Sequence, residues 1–191
     1  MKLIVGISGA SGVIYGIRLL EILKEIEKIH THLVISSTAK QTISLETNQS
    51  LKEIQALADQ VHATDDLTAP IASGSYQTSG MIVIPCSMKS LSAIANSYNN
   101  NLLVRAADVT LKERRKLILI PRESPLHLGH LRLMVKAAEI GAIILPPIPA
   151  FYNHPKTIQD IINQTVARAL DLFNIEAPED LSPRWGDKES G

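Results

Sequence analysis

A doubly wound α/β domain with a mainly parallel sheet is what this sequence predicts, and three observations predict it. Short runs rich in Ile, Val and Leu alternate along the whole chain with segments of helical periodicity. The runs lack the polar alternation of a half-exposed strand, so both faces should be buried, as in a parallel sheet covered by helices. The 191 residues, 45% of them hydrophobic, suffice for one domain that buries roughly 70% of its unfolded surface.

Lys2 to Ser8 reads as the first strand, and "GASG" then leads into a helix over Val13 to Ile29, with apolar residues at helical spacing. His32 to Ser36 is the second strand and ends in a run of hydroxyls, Ser36, Ser37 and Thr38. Met81 to Cys86 is the third, followed by "SMKS", and Lys116 to Pro121 the fourth, each bounded by Ser or Pro. Ala142 to Pro146 is the fifth. The apolar stripe Ile158, Ile161, Ile162, Thr165, Val166, Ala169, Leu170 and Phe173 predicts a closing helix. Residues 1–176 therefore form one domain and residues 177–191, rich in Pro, Gly and charge, a tail in which Trp185 serves as a docking anchor.

Nineteen basic residues balance nineteen acidic ones, so no whole-molecule field draws nucleic acid or an anionic membrane to the chain. No apolar run reaches the roughly 18 residues of a membrane span, and a cytoplasmic protein is expected. A single cysteine, Cys86, excludes an intrachain disulfide and a Cys-rich zinc site; at the end of an apolar strand it reads as buried filler. His127 and His130 lie three apart without a third ligand, so no metal is expected and they read as surface or interface residues.

The opening stretch "KLIVGISGASGVIYG" spaces Gly6, Gly9 and Gly12 by three, matching neither the dinucleotide fingerprint nor the P-loop. Its layout still favours an anion, because small residues let a ligand approach the exposed N–H groups of a helix N-terminus. The second strand ends in hydroxyls rather than the carboxylate that binds a ribose diol, which suits a mononucleotide phosphate or ribityl chain better than NAD. A second strand-to-helix junction, Ser87 to Ser90, should lie beside the first at the carboxyl edge of the sheet.

The stretches "GISGASGVIYGIRLL", "PIASGSY", "IPCSMKSLSAIANSYNNNLLVRAADVTLKERRKLILIPRESPLH", "GAIILPPIPAFYNHP" and "LSPRWG" resemble the flavin prenyltransferases of the UbiX family over nearly the entire chain. The resemblance implies a flavoprotein fold that binds FMN and, with the flavin reduced, joins a dimethylallyl group from dimethylallyl phosphate to its N5 and C6. The product, prenylated FMN, would serve a UbiD-type decarboxylase. The resemblance puts FMN on Gly9, Ala10, Ser11, Ser36, Ser87, Met88, Lys89, Ser90 and Arg122, and the prenyl phosphate on Lys112, Glu123, Tyr152 and Arg168. Glu46 and Glu123 correspond to the family's catalytic glutamates, with Ser11 beside them.

These residue types suit the chemistry. Breaking the carbon–oxygen bond of an allylic phosphate develops an allylic cation and leaves phosphate behind, so Arg122, Arg168 and Lys112 would grip the anion while Tyr152 adds a hydrogen bond. Glu123 suits proton exchange with phosphate, and Glu46 protonation of intermediates. No DDxxD motif is present to support a magnesium–diphosphate mechanism. Arg114, Arg115 and Lys116 read instead as a solvated helix end that complements the macrodipole. Lys112 and Arg168 lie on different predicted helices yet must reach one phosphate, which predicts a site assembled between subunits. The family implies a dodecamer. Two other readings are a flavin-dependent cysteine decarboxylase, whose PxMNxxMW motif is absent here, and a non-catalytic FMN-binding accessory subunit of a decarboxylase.

Overall fold

In the computed structural model, residues 1–178 and 181–183 are described. The chain forms β1 (Lys2–Ile7), α1 (Val13–Lys24), β2 (His30–Ile35), α2 (Ser37–Glu46), α3 (Leu51–Gln55), β3 (Gln60–His62), β4 (Gly80–Cys86) and α4 (Met88–Ala95). It continues through α5 (Leu102–Lys112), β5 (Lys116–Pro121), α6 (Leu128–Glu139), β6 (Ile143–Ile144) and α7 (Ile158–Asp171), with single 3₁₀ turns at Pro70–Ala72 and Phe151–Asn153. The six strands make one sheet in the order β3-β2-β1-β4-β5-β6, and each neighbouring pair is parallel. The chain winds outward from β1 to β3, returns to place β4 on the other side of β1, and winds outward again. That reversal opens a crevice at the carboxyl ends of β1 and β4, where ligands of open α/β sheets bind.

Strand residues alternate between two cores. Leu3, Val5, Ile7, Leu33, Ile35, Ile82, Ile84, Ile118 and Ile120 pack with α1, α2 and α7 on one face. Ile4, Val34, Met81, Val83, Leu117 and Leu119 pack with α4, α5 and α6 on the other. All seven residues of β4 are buried, which is why the strands read as continuous apolar runs. Each such Leu or Ile side chain stabilises the fold by roughly 1.5–3 kcal/mol. No described helix is long and apolar enough to cross a membrane.

Four elements depart from the sequence expectation. α1 stops at Lys24 rather than Ile29, and β2 begins at His30, whose N–H donates to Met1 O at 2.7 Å and draws the strand start two residues earlier. β3 was not expected: three residues at a sheet edge, two of them exposed, carry no readable periodicity. β6 has only two paired residues, because Pro146 and Pro147 lack the N–H groups that would continue the ladder. Lys116 and Arg115 are also not a solvated helix end. Lys116 opens β5 and donates to Leu172 O, while Arg115 donates to Gly74 O and Tyr76 O at 2.7 and 2.9 Å. In the tail, Leu181 is buried in the first core; Trp185 lies outside the described residues.

Candidate active site

Four loops meet at the carboxyl edge, and hydrogen bonds stitch them together. The buried Ser8 hydroxyl donates to Pro85 O at 2.9 Å and accepts from Ser87 N–H at 2.7 Å, joining the loops after β1 and β4. Ser36 N–H donates to Ile7 O at 2.9 Å, and Arg122 N–H to Cys86 O at 3.2 Å, bringing in the loops after β2 and β5. Gly9 makes the approach possible, since a Cβ there would overlap the Thr38 side chain. Burial pushes the Cys86 thiol up to about 12, so it stays protonated and serves as filler.

The opening helix end is not free for a ligand anion. Gly12 is the N-cap of α1 at φ 95°, a left-handed conformation that favours glycine, and it has no side chain with which to cap. Glu46, at the end of α2, supplies the cap instead: its Oε2 accepts from Gly12 N–H at 2.8 Å and Val13 N–H at 3.2 Å. The anion expected at this helix end is the chain's own carboxylate. Ser11 is exposed, and its carbonyl accepts from Arg122 Nε at 3.2 Å.

Two cavities adjoin along the crevice and share Gly9 and Ser87. The larger, about 650 Å³, is walled by Ser36, Ser37, Thr38, Thr64, Ser87, Ser90, Lys89 and the Asn96–Asn101 turn, with no carboxylate among its lining residues. Ser36 and Ser87 cap α2 and α4 by accepting from Ala39 N–H and Ser90 N–H at 3.1 and 3.2 Å. Hydroxyls, an ammonium group and helix N-termini form a donor-rich, cation-bearing lining that fits a phosphate ester and a ribityl chain. The smaller cavity, about 390 Å³, is lined by Gly9, Ala10, Ser11, Ser87, Met88, Arg122, Glu123 and Ser124. The nine residues assigned to FMN from the sequence all line one cavity or the other.

Of the residues expected at the prenyl phosphate, Glu123 lines the smaller cavity, whereas Lys112, Tyr152 and Arg168 lie elsewhere on the chain. Tyr152 and Arg168 share a separate cavity of about 200 Å³, and Arg168 pairs with Asp171 at 2.9 Å. Lys112 ends α5, beside the start of β5 at the opposite edge of the sheet, and pairs there with Glu113. Lys112 draws the Glu113 carboxyl below its usual range. His127 Nδ1 caps α6 by accepting from Gly129 N–H at 3.0 Å and His130 N–H at 3.4 Å. Among the described residues, no three His, Cys, Asp or Glu side chains cluster as a metal site would require.

Sequence reasoning missed Thr64, Asn96, Tyr98, Asn100 and Asn101 as cavity walls. The signal was the "NSYNNN" run, whose Asn101 caps α5 by accepting from Val104 N–H at 3.1 Å. It also missed Ser8, whose partners lie 77 and 79 residues away.

Comparison with known proteins points the same way. Residues 1–170 match the family model described as Flavoprotein. The chain is 62% identical to the flavin prenyltransferase UbiX of Escherichia coli K12 over 184 residues, 96% of this chain and 97% of that protein. A solved structure described as a dodecameric FMN-dependent UbiX-like decarboxylase from Escherichia coli O157:H7 superposes with a TM-score of 0.94 at 52% identity, covering 97% of this chain and 99% of that one. AnUbiX (PadA1), solved in complex with FMN and dimethylallyl pyrophosphate, also gives a TM-score of 0.94, at 45% identity with 98% of each chain covered. With its switch-point crevice, hydroxyl-lined cradle and near-complete match in length to these relatives, the chain belongs to the UbiX family of flavin prenyltransferases.

Proposed function

We propose that this protein transfers a dimethylallyl group from dimethylallyl phosphate to reduced FMN, making prenylated FMN for a UbiD-type decarboxylase. The observation that carries the reading is the 62% identity to a flavin prenyltransferase across 96% of the chain. The two adjoining cavities support it, since the larger offers a hydroxyl- and ammonium-lined wall for the flavin phosphate and the smaller joins it at Gly9 and Ser87. Ser36, Lys89 and Ser90 would hold the flavin phosphate, while Ala10, Ser11, Met88 and Arg122 would flank the ring. Bound reduced flavin would supply the nucleophilic N5 and the C6 at which the new ring closes.

The chain's own residues handle the phosphate and the proton. Lys112, Tyr152 and Arg168 grip the anion and stabilise its departure as the carbon–oxygen bond breaks. Glu123, adjacent to Arg122 on the wall of the smaller cavity, exchanges a proton with the released phosphate. Glu46 holds the Ser11 loop by capping α1 and handles a second proton there. Because Lys112, the Tyr152–Arg168 pair and the flavin cavities lie in three places on one protomer, the complete site requires neighbouring copies of the chain. A dodecamer, the assembly of the UbiX-like relative, supplies such neighbours. A cytoplasmic location belongs to the same reading.

The test is anaerobic incubation of the protein with reduced FMN and dimethylallyl phosphate, followed by mass measurement of the extracted flavin. A flavin heavier by one five-carbon unit is expected. Bound FMN of unchanged mass after many hours would refute the proposal and favour a non-catalytic flavin carrier.

A further inference from the structure

The segment from Ser73 to Ser79 crosses the sheet edge that carries Lys112, and its backbone is fastened at several points. Arg105 Nε donates to Ala72 O at 3.1 Å, just before it. Arg115 reaches Gly74 O at 2.7 Å and Tyr76 O at 2.9 Å through its two terminal nitrogens. The Tyr76 hydroxyl bonds the buried His32 Nε2 at 3.1 Å, and Lys2 Nζ lies 4.1 Å from the Tyr76 ring centre. At the far end, Ser79 N–H donates to Lys2 O at 2.8 Å. A backbone held this way does not retreat when something presses on it.

Gly74 sits inside this fastened stretch, and its backbone does not require glycine, because its φ lies outside the left-handed range taken by Gly12, Gly80 and Gly141. What the missing side chain provides is space. A Cβ there would overlap the Glu113 carboxylate and lie 2.7 Å from Lys112 Nζ. Both atoms are the ends of flexible side chains, so an added methyl would move them and leave the fold in place. The Lys112 side chain is 47% exposed, so its ammonium remains within reach of a neighbouring copy.

We propose that Gly74 is a positioning residue for the prenyl-phosphate grip: by lacking a side chain in a segment anchored by Arg115, it sets where the paired Lys112 and Glu113 head groups stand. The proposal rests on the assignment of Lys112 to the donor phosphate, and its test separates the two. Initial rates are measured with dimethylallyl phosphate varied at saturating reduced FMN, alongside FMN affinity and thermal unfolding. Lys112→Ala should raise KM for the donor about 10- to 100-fold, the range for a lost charge-assisted hydrogen bond. Gly74→Ala should raise the same KM about tenfold, because a small displacement of a positioned group is costly, while kcat and FMN affinity stay within about twofold. The Gly74→Ala, Lys112→Ala double variant should be no worse than Lys112→Ala alone, since both act through one ammonium. Removing the Glu113 part of the crowding should lessen the effect, so the rise in KM caused by Gly74→Ala should be smaller in the Glu113→Ala background than in the wild-type one. A normal KM in Gly74→Ala beside a raised KM in Lys112→Ala overturns the role of Gly74 and leaves that of Lys112 standing. Additive losses in the Gly74→Ala, Lys112→Ala double variant, or a rise undiminished by Glu113→Ala, overturn it as well. An unchanged KM in Lys112→Ala removes both assignments.

Discussion

Replacing Glu46 tests whether a carboxylate at the end of α2 holds the glycine loop in place. Glu46 Oε2 accepts two N–H groups at the start of α1, from Gly12 at 2.8 Å and Val13 at 3.2 Å, and Gly12 offers no cap of its own. Glu46→Ala leaves those two donors without a protein partner. Losing an N-cap costs about 1 kcal/mol, and losing the anion's interaction with the helix dipole costs about 0.3–1 kcal/mol at an exposed position. The total is about 1.3–2 kcal/mol, which lowers Tm by about 3–8 °C for a chain of this size. Glu46→Gln keeps an acceptor oxygen and loses only the charge, so its Tm should fall by about 1–4 °C. Thermal unfolding followed by circular dichroism, with both variants in low salt, measures the difference. Equal Tm losses in the two variants, or none in Glu46→Ala, would refute the capping argument. Turnover divides the roles further: if Glu46 also moves a proton, Glu46→Gln stays folded but loses activity, whereas a purely capping Glu46 leaves its turnover near normal.

Glu123→Gln should retain FMN and slow turnover by roughly 100-fold, the low end for general acid–base work; loss of FMN binding, or normal turnover, would remove its assigned role. Mixed oligomers of Ser11→Leu and Arg168→Ala, each inactive alone, should regain part of the activity, because some sites then receive an intact flavin cradle from one copy and an intact Arg168 from another. Mixed oligomers verified by mass yet inactive in every ratio would place both residues in one chain's site. The buried His32 is held down to about 4, first by burial and then by His62, His30 and Lys2, with Asp59 opposing. The unfolded chain therefore takes up a proton below about pH 6.5 while the folded chain waits until about pH 4, so stability falls as pH drops through that window, by at most about 3 kcal/mol. His32→Gln should flatten this dependence in Tm measurements against pH, and an unchanged slope would contradict it.

Much of this protein could be read without coordinates, for a physical reason that differs from element to element. Strands buried on both faces show as unbroken Ile, Val and Leu runs, so β1, β4 and β5 were legible almost to the residue. Ser36 and Ser87 cap helices from the ends of such strands, and parallel winding brings strand ends to one edge. Local chemistry and winding thus sufficed to place the cradle residues together. The three-residue β3 was not legible, because an edge strand of that length has no pattern to detect.

What sequence alone determined about this protein is the doubly wound class, the loops that carry the cradle and the family to which the chain belongs. Only the tertiary structure decided which anion meets which helix. The α1 N-terminus, read as a ligand site, is occupied by Glu46, because α2 folds back across the β1 loop and brings a carboxylate 34 residues downstream within 2.8 Å of Gly12 N–H. The structure also decided that Arg115 fastens the segment around Gly74 instead of pointing into solvent, and that Lys112 stands at the far edge of the sheet from the two crevice cavities. Sequence periodicity reports which face of an element is buried. Side-chain partners in these contacts lie between 34 and 41 residues apart along the chain, and no periodicity carries that information.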